Sequence, residues 1–156
     1  MKLDTKAITR ASIIAAIYTA ISLLLAPISF GQVQVRLSEA LTLLPIFLPE
    51  AVPALFIGCL ISNMIGGMVI LDIVFGSLCT LIAAIFTYLL RKKSAFISAA
   101  PPVIINAFGV AAVLHFASGL PYFITVLWVG LGQVLSVYFV GIPLMALLKK
   151  RLFNDL

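Results

Sequence analysis

Two carboxylic side chains, Glu39 and Asp72, lie within stretches of the chain that are otherwise almost entirely apolar. A carboxylate inside a membrane is costly unless it is paired, protonated or hydrated, and by default it marks a functional site. Glu39 and Asp72 are therefore predicted to belong to such a site. Arg36 lies three residues before Glu39. It is expected either to extend to the membrane interface or to pair with Glu39 or a ligand.

Other polar and aromatic side chains occur at the ends or near the middle of the same apolar stretches. Each has an ordinary structural explanation, because asparagines join membrane helices through hydrogen bonds and tryptophans anchor helices at the membrane interface. Their shared position toward the outer half of the predicted bundle favours a solute pocket that opens outward. The predicted substrate-binding residues are Arg36, Glu39, Asn63, Asp72, Asn106, Trp128 and Gln133.

The composition identifies the environment of these residues. The chain of 156 residues is 63% hydrophobic and 10% charged, whereas soluble domains are about half apolar and a quarter charged. The lysines and arginines lie at the two ends and in one loop, which indicates membrane topology and excludes a nucleic-acid interface. The two cysteines and one histidine do not provide a usual metal-ligand set, so neither a metal nor another cofactor is predicted.

Six apolar segments predict one all-α integral membrane domain over residues 1–156, a bundle of six transmembrane helices. Four of the segments reach the roughly 20 residues that a spanning helix needs, whereas the second and third are short and separated only by Pro49 and Glu50. The predicted helices are 8–30, 37–48, 51–66, 69–90, 95–117 and 122–148.

The distribution of positive charge decides whether the two short segments cross the membrane once or twice. Clusters of lysine and arginine favour the cytoplasm. With two crossings, the amino terminus, the loop at 91–93 and the tail at 149–151 all fall on the same side of the membrane. We therefore expect a multi-pass protein of the cell membrane with both termini in the cytoplasm.

The first predicted helix carries small residues at every fourth position, Ala11, Ala15 and Thr19, beside a parallel row of Ser12, Ala16 and Ala20. Small residues at this spacing let a second helix approach closely. The neighbour is either another helix of the same bundle or a separate membrane partner.

This row and three motifs resemble a known family. The small basic chain with Ala11, Ala15 and Thr19 on its first helix is similar to the substrate-binding S components of energy-coupling factor (ECF) transporters. Within that group, residues 31–45, with the pattern Gln-x-Arg-x-Ser-Glu, resemble the QueT family. Residues 58–67 and the Leu-Asp-x-x-Phe-Gly-Ser stretch at 71–77 resemble it as well. The resemblance covers essentially the whole chain.

The resemblance implies the six-helix S-component fold and a queuosine precursor as solute, either 7-cyano- or 7-aminomethyl-7-deazaguanine. It also implies that Ala11, Ala15 and Thr19 dock on a transmembrane T component, which works with two cytosolic ATPases. The chain is not expected to be an enzyme, and it lacks the Gly-x-x-x-x-Gly-Lys-Ser/Thr phosphate loop of an ATPase. Two alternatives stay open: an S component for another small heterocyclic vitamin, and a stand-alone proton-coupled secondary transporter.

Overall fold

The computed structural model describes residues 4–31 and 34–152, and within these ranges the chain is helical and forms no strand. Four helical stretches are long and apolar enough to cross a membrane, and two apolar helices are shorter. The elements are α1 (Thr5–Leu24), α2 (Ala26–Ser29), a 3₁₀ helix (Leu37–Ile46), α3 (Ala51–Ile65), a π-helical turn (Asp72–Gly76), α4 (Ser77–Leu89), α5 (Ala95–Ser98), α6 (Ala100–Ser118), α7 (Tyr122–Val134), a π-helical segment (Leu135–Gly141) and α8 (Ile142–Leu152).

The surfaces of the long stretches confirm the prediction of a helical membrane protein. The stretches that can span are Thr5–Leu24, Asp72–Leu89, Ala95–Ser118 and Tyr122–Arg151. Many of their large apolar side chains, including those of Leu24, Phe116 and Phe123, point away from the protein. So much exposed apolar surface is what a lipid environment requires and what soluble monomers avoid.

Prolines explain where the helices differ from the predicted boundaries. The segment predicted as one helix over 8–30 is divided at Leu25, because Pro27 lies in the first turn of α2 and has no N–H to continue the hydrogen-bond ladder of α1. The segment predicted over 95–117 is likewise divided into α5 and α6, and α6 begins with Pro101 and Pro102 in its first turn.

Helices α1 and α3 run parallel, side by side. Near their beginnings, Arg10 Nη1 lies 3.2 Å from Glu50 Oε1. Further along, the Thr19 hydroxyl donates a hydrogen bond to the Gly58 carbonyl at 3.1 Å. At these contacts the residue numbers rise in the same direction along both helices. The chain that joins the end of α1 to the start of α3 therefore has to run back along the bundle.

The 3₁₀ helix Leu37–Ile46 makes this return. A 3₁₀ helix rises about 2.0 Å per residue, so ten residues cover about 20 Å, where an α-helix would cover about 15 Å. Its side chains from Ser38 to Pro45 are all buried. Gly141 lets the π-helical segment approach it, since a Cβ at Gly141 would lie 3.1 Å from the Ala40 carbonyl oxygen. The 3₁₀ helix is therefore the central element of the bundle.

Helices α6 and α7 form the second closely packed pair, and they run antiparallel. Asn106 Nδ2 donates to Gln133 Oε1 at 3.3 Å, and Gly130 faces the Ala107 side chain. Further from the turn between them, the Tyr138 hydroxyl donates to the Phe96 carbonyl at 3.0 Å. Asn106 and Gln133 are thereby brought beside the 3₁₀ helix.

The parallel pair of α1 and α3 depends on the missing side chain at Gly58. A Cβ there would lie 2.9 Å from the Tyr18 Cβ and 3.0 Å from the Ala15 carbonyl oxygen, so the helices would have to separate. We expect Gly58→Ala to lower the free energy of unfolding by about 1–3 kcal/mol, as overpacking does. Thermal unfolding in detergent measures this change.

Gly130→Ala is the matched control, because a Cβ at that helical position would make an ordinary 3.5 Å contact with Ala107. The control should keep or raise the melting temperature, since alanine favours a helix more than glycine does. Equal effects of the two substitutions would contradict close packing at Gly58.

Candidate functional site

Glu39 is the centre of the buried polar site. It lies in the first turn of the 3₁₀ helix and is 1% exposed. Its Oε1 accepts hydrogen bonds from the Tyr18 hydroxyl of α1 and, at 3.3 Å, from the Thr80 hydroxyl of α4. Its Oε2 accepts from Asn106 Nδ2 of α6 at 3.0 Å. Three other helices therefore converge on one carboxylate, and all three donors are neutral.

Arg36 and Asp72 form a second buried unit. Arg36 Nη2 lies 3.5 Å from Asp72 Oδ2, and both side chains are almost completely buried. The guanidinium Nε also donates to the Ser29 carbonyl at 3.4 Å, and the group lies over the Phe30 ring, 5.4 Å from its centroid. Arg36 therefore neither extends to the membrane interface nor pairs with Glu39, as expected from the sequence, but pairs with Asp72.

The π-helical turn and the end of α3 hold Asp72 in place. Asn63 Nδ2 donates to the Asp72 carbonyl oxygen at 3.2 Å. The carboxyl group fits against the turn because Gly76 has no side chain, and a Cβ there would meet Asp72 Oδ1 at 2.5 Å. Single π-helical turns within α-helices are frequent at functional sites, because they redirect a side chain from the regular helical positions.

The Cys59 thiol connects the two units. Its Sγ lies 3.7 Å from both Arg36 Nη1 and Asn63 Nδ2, and 3.5 Å from the Thr80 hydroxyl oxygen. The single proton of the Thr80 hydroxyl can be donated either to this sulfur or to Glu39 Oε1 at 3.3 Å. Cys59 is fully buried, and these contacts are all with polar side chains of the site.

A small cleft opens between these side chains. It is narrow and leaves no room for a water molecule. Except for one valine, its walls are polar or charged. The lining residues are Gln34, Arg36, Glu39, Thr80, Asn106, Val110 and Gln133. A cleft with a carboxylate, a guanidinium and several amides suits a small ligand rich in hydrogen-bonding groups.

The structure brings most of the predicted site residues together. Four of them, Arg36, Glu39, Asn106 and Gln133, line the cleft. Asn63 and Asp72 do not line the cleft. Asp72 contacts the lining residue Arg36, and Asn63 contacts Cys59, which in turn contacts Arg36. Trp128 is separate from them: its side chain is 48% exposed on α7 and does not line the cleft.

Several residues of the site were not among the predicted ones. Tyr18 and Thr80 donate to Glu39, and the Gln34 side chain lines the cleft. A tyrosine or threonine within an apolar helix also occurs as a packing residue, so its type alone gives no signal. Gln34 adopts a φ of 45°, a left-handed conformation that is uncommon for residues other than glycine.

Several buried oxygen atoms of the site have no hydrogen-bond donor among the described residues. They are Asn63 Oδ1, Asp72 Oδ1 and Asn106 Oδ1. Buried acceptors without donors are rare in native proteins, because each loses its hydration without compensation. The site is therefore short of donors rather than of acceptors.

The small residues of α1 face two different neighbours. Ala15 is buried where α1 meets Gly58 of α3, and Thr19 donates to the Gly58 carbonyl. Ala11 is partly buried. The parallel row of Ser12, Ala16 and Ala20 is exposed. It lines a groove along α1 and α3, to which Ala15, Thr19, Ile57 and Ile61 also contribute.

The apolar spanning stretches and the buried polar cluster between them define a helical membrane protein with charged side chains inside its bundle. The pattern of the QueT transporter family matches residues 8–150, and the chain belongs to that family. The queuosine precursor transporter QueT of Lactococcus lactis subsp. cremoris (strain MG1363) is 30% identical over 164 residues, which cover 96% of each chain. No solved structure matches the chain.

The buried Arg36–Asp72 pair should be energetically coupled far more strongly than the peripheral Arg10–Glu50 pair. Removing one partner of a buried pair leaves an uncompensated charge and typically costs about 3–5 kcal/mol. In a double-mutant cycle of Arg36→Met and Asp72→Asn, we expect the double variant to be more stable than the sum of the single losses by about 1–3 kcal/mol. Thermal unfolding of the ligand-free protein in detergent provides the four stabilities.

The cycle of Arg10→Gln and Glu50→Gln is the control. Arg10 is half exposed, and exposed pairs contribute about 0.2–1 kcal/mol. A coupling energy for the buried pair no larger than that of the control would show that Arg36 and Asp72 do not act as one unit.

Proposed function

We propose that this chain is the substrate-binding S component of an ECF importer and that its solute is a queuosine precursor of the 7-deazaguanine type. The observation that carries the proposal is the Glu39 carboxylate, which lines a closed polar cleft and is held by neutral donors from three helices. The family and the name of the Lactococcus relative support the choice of solute.

The hydrogen-bonding groups of a 7-deazaguanine complement the cleft. Its ring N–H and exocyclic amine are adjacent donors, and one carboxylate can accept both in a charge-assisted arrangement. Glu39 supplies that carboxylate, and Asn106 Oδ1 is an acceptor without a donor. The carbonyl oxygen of the solute needs a donor, which the amides of Gln34 and Gln133 can provide.

The cleft has to widen to admit such a solute. It leaves no room for a water molecule, whereas ligand pockets usually enclose about 300–1,000 Å³. Gln34, in its left-handed conformation at the cleft wall, is the lining residue whose backbone would relax most readily.

We further propose that the chain crosses the membrane six times, with both termini in the cytoplasm. The parallel arrangement of α1 and α3 supports this topology, because the chain between them must return across the bundle. The positive charges near the two ends and at 91–93 then share one side.

The contact with the transport partner is assigned to the side of α1 that is exposed on the surface of the bundle. The proposed partner is a transmembrane T component that works with two cytosolic ATPases. The predicted docking row of Ala11, Ala15 and Thr19 lies partly against α3, so the exposed row of Ser12, Ala16 and Ala20 carries the larger share of the proposed contact. Small residues on a lipid-facing helix allow a partner helix to approach closely.

Replacing the central carboxylate tests the site. Glu39→Gln removes a charge-assisted acceptor, so we expect the binding free energy of a 7-deazaguanine precursor to fall by about 1.5–3 kcal/mol. Titration calorimetry of the purified chain without ATP measures this loss. Glu50→Gln is the matched control, because Glu50 pairs with Arg10 away from the cleft. If Glu39→Gln binds as tightly as the parent, Glu39 does not contact the solute.

Added bulk on the exposed face of α1 tests the docking row. We expect Ala16→Leu to reduce co-purification with the T component and ATP-dependent uptake, because it obstructs close helix packing. Solute affinity should stay within about 0.5 kcal/mol of the parent, as for sites that do not interact. The control is Ala146→Leu, the same change at an exposed alanine of α8.

Two outcomes would contradict the docking proposal. Unchanged assembly and uptake in Ala16→Leu would show that the exposed row is not a contact surface. Uptake that does not depend on ATP or on the partner subunits would remove the S-component role itself.

A further inference from the structure

The charges buried in the site do not balance. Among the described residues, the buried side chains near the cleft that ordinarily carry a charge at neutral pH are one guanidinium, Arg36, and two carboxyl groups, Glu39 and Asp72. Arg36 is paired with Asp72. With both carboxyl groups ionised, the group carries one negative charge in excess, and that charge lies on Glu39.

Glu39 has no ion-pair partner among the described residues, and only the more distant Arg36, already paired with Asp72, acts on its charge. Its hydrogen-bond partners, Tyr18, Thr80 and Asn106, are all neutral, and no lysine, arginine or histidine of the described chain lies within salt-bridge distance of it. Hydrogen bonds stabilise a buried carboxylate, but they leave its charge in a poorly polarisable interior. A cation from outside the chain would complete the site.

The unpartnered acceptors lead to the same conclusion by a separate route. Asn106 Oδ1 belongs to a cleft-lining residue and has no donor, and Asp72 Oδ1 and Asn63 Oδ1 behind the cleft have none either. A ligand that brings many N–H groups and a positive charge satisfies such a site. A ligand that adds another acceptor does not.

We propose that the cleft is selective for a cationic solute and, resting on the proposed function, that it binds the 7-aminomethyl form of the 7-deazaguanine precursor in preference to the 7-cyano form. The aminomethyl group is an ammonium cation with three N–H donors near neutral pH, whereas the cyano group is neutral and only accepts. The selection comes from charge, so it does not require the ammonium group to touch Glu39. In an interior of low polarity, charges interact over several ångströms.

The guanidinium of Arg36 does not cancel this selectivity. It also lines the cleft, and alone it would repel a cation. Its charge is, however, already offset by Asp72 at 3.5 Å and spread over contacts with the Ser29 carbonyl and the Phe30 ring. The remaining field in the cleft is therefore that of Glu39.

Titration calorimetry with three solutes separates charge from shape. The solutes are 7-aminomethyl-, 7-hydroxymethyl- and 7-cyano-7-deazaguanine, and the hydroxymethyl form matches the aminomethyl form in size but has no charge. For the parent protein we expect the aminomethyl form to bind at least about tenfold more tightly than either neutral form, a factor that corresponds to about 1.4 kcal/mol.

The same titrations on Glu39→Gln locate the source of the selectivity. All three solutes should bind more weakly, and the preference for the aminomethyl form should fall below about threefold, because the excess charge is gone. The control Glu50→Gln should keep the tenfold preference. The comparison of solutes on the parent needs no variant, so it remains decisive even if Glu39→Gln does not fold.

The outcomes distinguish this inference from the proposed function. Equal affinities for the aminomethyl and hydroxymethyl forms, or tighter binding of the cyano form, would overturn the charge selectivity and leave the solute class standing. A preference that persists unchanged in Glu39→Gln would also overturn it, because the charge would then not be the cause. No binding of any of the three solutes by folded parent protein would overturn the proposed function.

Discussion

The burial of the Glu39 carboxylate without a cationic partner is the constraint on which the rest of the site depends. A carboxylate inside a membrane protein is tolerated only where donors surround it. Here the donors come from Tyr18 on α1, Thr80 on α4 and Asn106 on α6. Three helices must therefore meet the 3₁₀ helix at one level, and the close approach of α1 to α3 at Gly58 places Tyr18 where it can reach.

The 3₁₀ helix and the π-helical turn together position the three charged side chains of the site. The 3₁₀ helix rises further per residue than an α-helix, so a short buried segment returns the chain across the bundle while placing Arg36 at its start and Glu39 in its first turn. The π-helical turn directs Asp72 toward Arg36. Two of the three irregular segments among the described residues thus carry the buried carboxyl groups, whereas the third, Leu135–Gly141, has no charged side chain.

Composition and charge were sufficient to predict the helical membrane fold and several cleft residues, because a few polar side chains stand out in an apolar sequence. Glu39, Arg36, Asn106 and Gln133 were found in this way. The 3₁₀ geometry of residues 37–46 was not predicted, since an apolar segment with one proline has no periodicity that separates the two helix types. Tyr18 was not found either, because its role depends on a carboxylate 21 residues away.

The two rows of small residues on α1 show why spacing alone could not assign the docking surface. Both rows repeat every four residues, and only packing decides that Ala15 faces α3 while Ala16 faces outward. Tyr18 lies on the buried side of this same helix and holds Glu39. Under the proposed function, one face of α1 therefore contacts the cleft and the other contacts the partner. Any solute that displaces the Tyr18 hydroxyl from Glu39 acts on the helix that the partner contacts, so solute occupancy and partner docking share one rigid element.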